Sequence, residues 1–398
     1  MKQVRLINGT QKKCQEGHPW VYSTQIDRSL WSDNPDLEPD VSDVTDVVDF
    51  RGRYLGTGVY NPVSMLAVRL LTHRHDQVDD DLIRRRVREA IAWRKHGMRS
   101  DTDSYRMIFA EADRLPGVIA DLFADTLVLQ ILARGMEQWL DVIVDTLTEE
   151  LKPANLILQH EEPVRLKEGL PLYRRVCRGQ DPGRLIIREN GLSLMIDLSS
   201  GQKTGYFLDQ KANHAALRPY ATGKTVLDCF CYSGGFALNA AFAGAARVTA
   251  VDQSEAAIQL ARTNGQLNDL QDSIDWITAN AFDYLRQAIA SRLSYDIIVL
   301  DPPAFAKNHA AQHAAIRGYK EINLSAFRLL TPGGILVTHS CSFHMPEDLF
   351  LETVLAAARD ARLSVRIIDV RRQDFDHPVL GGYPESHYLK SLWLQVLP

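Results

Sequence analysis

The second half of this 398-residue chain predicts an α/β fold, a doubly wound and mostly parallel sheet of seven strands. Two observations carry that reading. From about residue 191, apolar runs at 192–198, 225–228, 247–252, 273–278, 295–301, 334–340 and 363–370 alternate with stretches long enough for helices of three or four turns. Within that alternation, residues 225–236 run from an apolar strand through Asp228 into a Gly234-Gly235 turn, then into an Ala-rich helix. Strand, glycine turn and helix N-terminus form the usual seat of a nucleotide-like ligand in such a sheet, since glycine admits close backbone approach and the helix end offers unpaired N–H groups.

The first half reads differently. Short strands at 3–8, 46–50 and 54–60, with turns at Arg51-Gly52 and Asn61-Pro62, predict a small, curled all-β module over 1–74. Its segment Gly17-His18-Pro19-Trp20-Val21-Tyr22 is either a turn with a core aromatic or an aromatic and basic surface for nucleic acid. Residues 32–46 are acidic and contain proline, as a solvated loop would. A helical linker follows over 75–102: Asp79, Asp80 and Asp81 charge its first turn, and Leu82, Ile83, Val87, Ala90 and Ile91 form a buried stripe. The same helix carries Arg84, Arg85, Arg86, Arg88, Arg94 and Lys95, a solvated face or a phosphate-contacting ridge. Residues 103–190 mix hairpin signals with a helix at 137–151 and read as a compact α+β domain without assigned chemistry. The parallel sheet then occupies 191–398.

Composition narrows the function classes. Apolar content of 45% and charged content of 24% are those of an ordinary globular chain, and no apolar run approaches the length of a membrane span. No N-terminal stretch reads as a secretory signal, and five scattered cysteines point to a reducing cytoplasm rather than a disulfide framework. Cys229 and Cys231 lack a second pair at zinc-ligand spacing, so no metal is expected. The net charge of −5 does not advertise a nucleic-acid partner, although an average can hide a local patch.

The chemistry gathers at strand ends. Asp228, Asp252, Asn280 and Asp301 stand at or just past the C-termini of successive strands. Asp252 falls where an acid accepts both ribose hydroxyls. The turn lacks G-x-G-x-x-G, so the spacing suits a ligand without phosphates better than a dinucleotide; S-adenosyl-L-methionine is such a ligand. After Asp301, Pro302-Pro303-Ala304-Phe305 make a stiff extended loop able to hold backbone carbonyls and an aromatic edge against a planar base. Cys341, closing strand 334–340 opposite that loop, is a candidate nucleophile; Cys229 and Cys231 are packing residues of their turn.

These motifs resemble those of class I methyltransferases, and the whole chain resembles the ribosomal large-subunit methyltransferase I family. The likeness rests on His18-Pro19-Trp20-Val21-Tyr22, Ser104-Tyr105-Arg106, Leu115-Pro116-Gly117-Val118, residues 201–210, Asp228 to Phe236, Asp301 to Phe305, residues 317–323, Ser340-Cys341-Ser342 and Asp376-His377-Pro378-Val379. It implies a PUA domain, a central domain and a Rossmann-like methyltransferase domain that methylates carbon 5 of a cytosine in 23S rRNA. It further implies that Lys203, Thr204, Tyr206, Phe207 and Asp209 lie over S-adenosyl-L-methionine, which Asp228, Tyr232, Ser233, Gly234, Asp252, Gln253, Asn280 and Asp301 complete. Cys341 then adds to carbon 6 of the base, with Asp301 on its N3/N4 edge and Pro302, Pro303, Phe305, His18 and Trp20 in contact with RNA. Ribosomal RNA, naked or in a subunit, is the implied partner; no membrane and no metal are expected, and a homodimer is allowed. Three departures stand out. Ala304 and Phe305 stand where many RNA cytosine-5 methyltransferases carry a second cysteine, a single-cysteine pattern shared with the named family and with uridine-5 methyltransferases, so cytosine rests on the resemblance. Ala304 replaces a lysine expected in close relatives, with Lys307 nearby, and Asn280 replaces a common aspartate, its amide oxygen still able to accept a bond. Rival readings are methylation of uridine carbon 5 or of a guanine, or a non-catalytic RNA-binding assembly factor.

Overall fold

Strands buried along most of their length, such as Tyr54–Tyr60 and Val68–Thr72, open the computed structural model, which describes residues 2–199, 204–305 and 311–398. The chain forms two compact units, each assembled from three stretches. The first comprises Met1–Gly183, Leu198–Tyr206 and Phe375–Ser386; the second comprises Arg184–Asp197, Phe207–Asp374 and His387–Pro398. Compactness therefore divides the chain otherwise than the four consecutive segments expected above. No described helix is long and apolar enough to cross a membrane.

In the first unit, β1 (Gln3–Arg5), β2 (Trp20–Val21), β3 (Val44–Val48), β4 (Tyr54–Tyr60) and β5 (Val68–Thr72) form a five-stranded sheet ordered β1-β3-β4-β5-β2. Val4, Leu6, Val21, Val47, Tyr60 and Val68 are its buried core. Helix α1 (Asp80–Gly97) starts where the Asp79 carboxylate accepts the Leu82 N–H, an N-cap that satisfies one free donor of the first turn. Its apolar stripe is buried as expected, but Arg86 and Arg94 are buried beside it. Arg94 donates to both Asp113 oxygens at 2.6 and 2.7 Å and to the Asp376 carbonyl at 2.9 Å, and Arg86 donates to the Leu71 carbonyl. Arg88 pairs with Glu149 and Glu150. Two of the six cations counted on this helix are thus spent inside the protein and a third in surface ion pairs, because a guanidinium can bury its stem only where carbonyls or carboxylates meet its N–H fork.

A second five-stranded sheet in this unit is ordered β10-β9-β8-β7-β6, from β6 (Tyr105–Phe109), β7 (Val118–Phe123), β8 (Thr126–Ile131), β9 (Asn155–His160) and β10 (Tyr173–Arg178). Helix α2 (Leu140–Leu151) makes the crossover between the parallel pair β8 and β9.

The second unit opens with a hairpin, β11 (Arg184–Glu189) and β12 (Leu192–Asp197), closed by Asn190 at φ 53° and Gly191 at φ 80°. Its main sheet has seven strands in the order β15-β14-β13-β16-β17-β19-β18: β13 (Thr225–Cys229), β14 (Arg247–Asp252), β15 (Ile274–Thr278), β16 (Tyr295–Leu300), β17 (Leu330–Ser340), β18 (Val365–Arg371) and β19 (Lys390–Val396). The count matches the expectation but the membership does not. Segment 192–198 stays out of the sheet, because a two-residue turn pairs it with β11 along its whole length. The seventh strand is β19, which lies antiparallel between β17 and β18 and breaks the strand–helix alternation. Helices α3 (Lys211–Ala221), α4 (Gly235–Phe242), α5 (Glu255–Leu267), α6 (Ala281–Ala290), α7 (Gln312–Leu329) and α8 (Glu347–Asp360) pack on the sheet. Strand order reverses between β13 and β16, which opens a crevice beyond their C-termini.

Candidate active site

That crevice begins at Asp228, fully buried at the end of β13. Its Oδ2 accepts the Ala237 N–H of α4 at 2.9 Å, while Oδ1 is buried without a partner among the described residues. Burial first, and then the charges of Asp301 and Asp252, push its carboxyl well above the usual range. The turn that follows is strained: Phe230 at φ 65° and Tyr232 at φ 48° are left-handed without being glycine, a cost that concentrates at ligand sites. Two contacts hold it. The Tyr232 N–H donates to Asp252 Oδ2 at 3.0 Å, and the Phe207 ring meets the Tyr232 ring edge-on at 5.2 Å. Gly234 then takes φ 92° to start α4. Ser233 is buried, and its carbonyl accepts from Asn264 at 3.1 Å. Cys229 and Cys231 are buried thiols whose pKa burial drives up, which fits the packing role expected of them.

Asp252 ends β14, and its Oδ1 accepts the Ser254 N–H at 2.9 Å. Each carboxylate oxygen thus takes one backbone N–H and retains a lone pair for a hydroxyl donor. Gln253 beside it is exposed. Asn280 caps α6, its Oδ1 accepting from Phe282 at 2.9 Å and Asp283 at 3.4 Å, so the helix end already occupies that oxygen. Of the 203–210 segment, Lys203 lies outside the described residues. Thr204, in the first unit, donates to Asp121 at 2.5 Å, and Tyr206 is buried in that unit. Asp209, in the second, accepts from the Tyr388 hydroxyl.

At the end of β16, Asp301 Oδ2 accepts from Gln210 Nε2 at 2.9 Å, and Gln210 is in turn held by Asn213 at 2.7 Å. Pro302 and Pro303 follow, and Phe305 packs on Tyr319 and Phe282 at ring distances of 4.7 and 6.0 Å. The Cys341 thiol, just past β17, lies 4.0 Å from the Pro302 carbonyl oxygen. Residues 39 apart in sequence are thereby brought together, as the parallel pairing of β16 and β17 requires. Lys307 lies outside the described residues.

Three side chains here escaped the sequence reading. Tyr319, fully buried on α7, hydrogen bonds Ser340 and Ser342 at 3.0 Å each and so braces both flanks of Cys341. Gln210 orients Asp301. Lys390, at the start of β19, donates to the Ser342 carbonyl at 2.7 Å. Tyr319 and Gln210 sit inside segments already quoted for the family likeness; Lys390 had no signal once its strand went unread.

In the first unit, His18 and Trp20 face inward. His18 Nε2 is 3.2 Å from Glu385, and the Trp20 indole donates to Glu111 at 2.8 Å, with the Tyr383 ring 4.8 Å from Trp20. Arg69 joins Glu111 and Glu168 at 2.9 and 3.0 Å. These polar atoms serve a buried network, and none of residues 17–22 is exposed.

The residues at the crevice fit S-adenosylmethionine. An orphaned, buried Asp228 oxygen, a cradle with no room for a Cβ and an acid with hydroxyl-accepting capacity match a ligand that ends in an amine at one side and a ribose at the other. A family model described as S-adenosylmethionine-dependent methyltransferase matches residues 124–378, and one described as a PUA-like domain matches residues 4–73. A ribosomal RNA large subunit methyltransferase I from Shewanella denitrificans is 40% identical over 397 residues, 99% of each chain. Its counterpart from Enterobacter sp. is 38% identical over 99% of this chain and 100% of its own. An S-adenosylmethionine-dependent methyltransferase from Streptococcus mutans shares the fold with TM-score 0.84 at 22% identity, and a methyltransferase complexed with S-adenosylhomocysteine does so with TM-score 0.85 at 22% identity, each over 100% of both chains.

Proposed function

Because the chain belongs to the ribosomal RNA large subunit methyltransferase I family, we propose that it methylates carbon 5 of a cytosine in 23S rRNA through a covalent adduct with Cys341. The cofactor is S-adenosylmethionine, as in the methyltransferase family whose model matches the chain. The observation that carries the reading is the thiol of Cys341 lying 4.0 Å from the Pro302 carbonyl, at the same sheet edge as Asp228 and Asp252. A methyltransferase acting on a ring nitrogen has no use for a nucleophile there.

An aromatic C–H is too weak a nucleophile to take a methyl group unaided. Addition of the Cys341 sulfur to carbon 6 forms a C–S bond and pushes the ring electrons toward carbon 5. S-adenosylmethionine, when bound, supplies an electrophilic methyl on a sulfonium; Asp228 would hold its amino group, Asp252 its ribose hydroxyls, and the turn 230–235 would lie against it. Asp301, oriented by Gln210, is set to meet the N3/N4 edge of the base and support the adduct. A base, a side chain or a water molecule, then takes the carbon-5 proton; the C–H electron pair restores the ring double bond and the C–S pair returns to Cys341. Pro302 and Pro303 keep the loop rigid while Phe305, wedged on Tyr319, fixes its far end.

Mass-spectrometric mapping of rRNA from cells with and without the gene tests the substrate. The expected result is one 5-methylcytosine missing from the large-subunit RNA of the deleted strain; an unchanged set of methylpyrimidines sinks the reading. Cys341→Ala should abolish methylation while calorimetry still detects S-adenosylmethionine binding. A guanine enzyme would keep its activity.

A further inference from the structure

A buried cation with no ion-pair partner among the described residues stands beside the nucleophile. Lys390 is 4% exposed, at the head of β19. The antiparallel register sets it opposite Ser340, the residue before Cys341, and its Nζ donates to the carbonyl of Ser342, the residue after. The ammonium is therefore fastened under the turn that carries the thiol. Glu347, whose charge bears on it, lies 3.7 Å from His387 instead, and no ion pair of Lys390 occurs among the described residues. A buried ammonium left with one carbonyl is costly unless a further anion faces it.

We propose that Lys390 is a positioning residue of this site, whose ammonium holds the Cys341 sulfur as a thiolate for attack on the base and again for its release. The inference rests on the cysteine-adduct reading above. The surrounding charges agree with it. Burial lowers the Lys390 pKa to about 8, against the pull of Cys341 and Glu347. As an ammonium Lys390 takes up no further proton: the S–H bond of Cys341 breaks, its proton leaves to water, and the sulfur keeps the electron pair, its charge balanced by the cation beside it. Of the other groups facing the pair, burial and Arg372 depress His387, which leaves it neutral, and burial raises Tyr319 to about 12, which leaves it an uncharged brace. The same ammonium improves the sulfur as a leaving group when the carbon-5 proton departs, since a stabilised thiolate leaves faster.

The test is the pH dependence of Cys341 alkylation by iodoacetamide in the full-length enzyme, followed by peptide mass spectrometry. Cys177, exposed in the other unit, serves as the internal reference. Lys390→Met should raise the alkylation midpoint of Cys341 by about 1–2 pH units and leave Cys177 unmoved. At pH 7 its kcat should fall at least about tenfold with little change in KM, and activity should recover toward pH 9. Lys390→Arg, which keeps the charge, should keep the low midpoint and guards against a mere packing defect. S-adenosylmethionine binding by calorimetry certifies the fold of both variants. An unmoved Cys341 midpoint in folded Lys390→Met overturns the role of Lys390. A Cys341→Ala enzyme that still methylates overturns the adduct reading itself, whatever the alkylation data show.

Discussion

At the turn after β13, two adjacent glycines are required for different reasons. Gly234 sits at φ 92°, and a Cβ on it would lie 2.7 Å from the Trp276 ring. Gly235 has an ordinary backbone, but a Cβ there would lie 2.4 Å from the His214 ring, which Glu189 holds at 2.7 Å. Gly234→Ala combines left-handed strain with a clash and should cost about 1–3 kcal/mol, read as a lowered unfolding midpoint, together with a loss of S-adenosylmethionine affinity by calorimetry. His339 makes a different kind of prediction. It is fully buried, neither ring nitrogen has a partner among the described residues, and burial lowers its pKa from 6.5 to about 3. Between those values the unfolded chain binds a proton that the folded chain refuses. Its contribution to stability is therefore whole above pH 6.5 and shrinks as pH falls toward 3. His339→Leu should flatten the acid limb of the stability–pH profile by about one proton, measured by urea melts across that range. Asp228, Asp301 and Cys341 were legible because a residue ending a parallel strand faces the ligand edge whatever its neighbours are. Lys390 was not, because its meaning depends on register with a strand 50 positions away in sequence.

Among the elements, β19 decides how the sheet ends. Trp393, fully buried, pairs with Val337 on one side and Asp369 on the other. Trp393→Ala should cost about 3–5 kcal/mol by the cavity it opens, seen as a shifted urea midpoint of the second unit and as lost amide protection in β17 and β18. The five parallel strands β13 to β17 could be read from their spacing, because each apolar run is followed by a helical stretch long enough to cross back. β19 follows a stretch with no α-helix, containing Gly381, Gly382 and a single 3-10 turn at Pro384–Ser386, so the alternation that identified its neighbours gave no warning of it. Segment 192–198 had the right composition for the sheet and lost its place to a hairpin partner only a turn away. Local pairing of that kind needs little loop closure and wins wherever the turn allows it.

For the molecule as a whole, composition showed that the chain exceeds one core, and the shift from hairpins to alternation marked where the character changes. It did not show that the first unit takes back residues 375–386. Asp376 of that return segment accepts the Arg106 N–H at 2.9 Å and the His377 ring at 2.7 Å, while its carbonyl takes Arg94. Asp376→Ala leaves a buried N–H orphaned and should destabilise the first unit by about 1–3 kcal/mol, read by hydrogen exchange in β6. Pairing of that sort is invisible to periodicity, since a short polar segment carries no pattern that names a distant partner.

That return segment also sets a schedule for synthesis. Strands β1 to β10 leave the ribosome early and can pair as they emerge, yet their unit lacks Phe375–Ser386 until nearly the whole chain has been made. The second unit waits equally for β19, its penultimate strand in spatial order and its last in synthesis. The final couple of dozen residues thus complete both units at once. A nascent chain stalled at residue 370 should leave both open to protease, whereas release of the full chain should close them together.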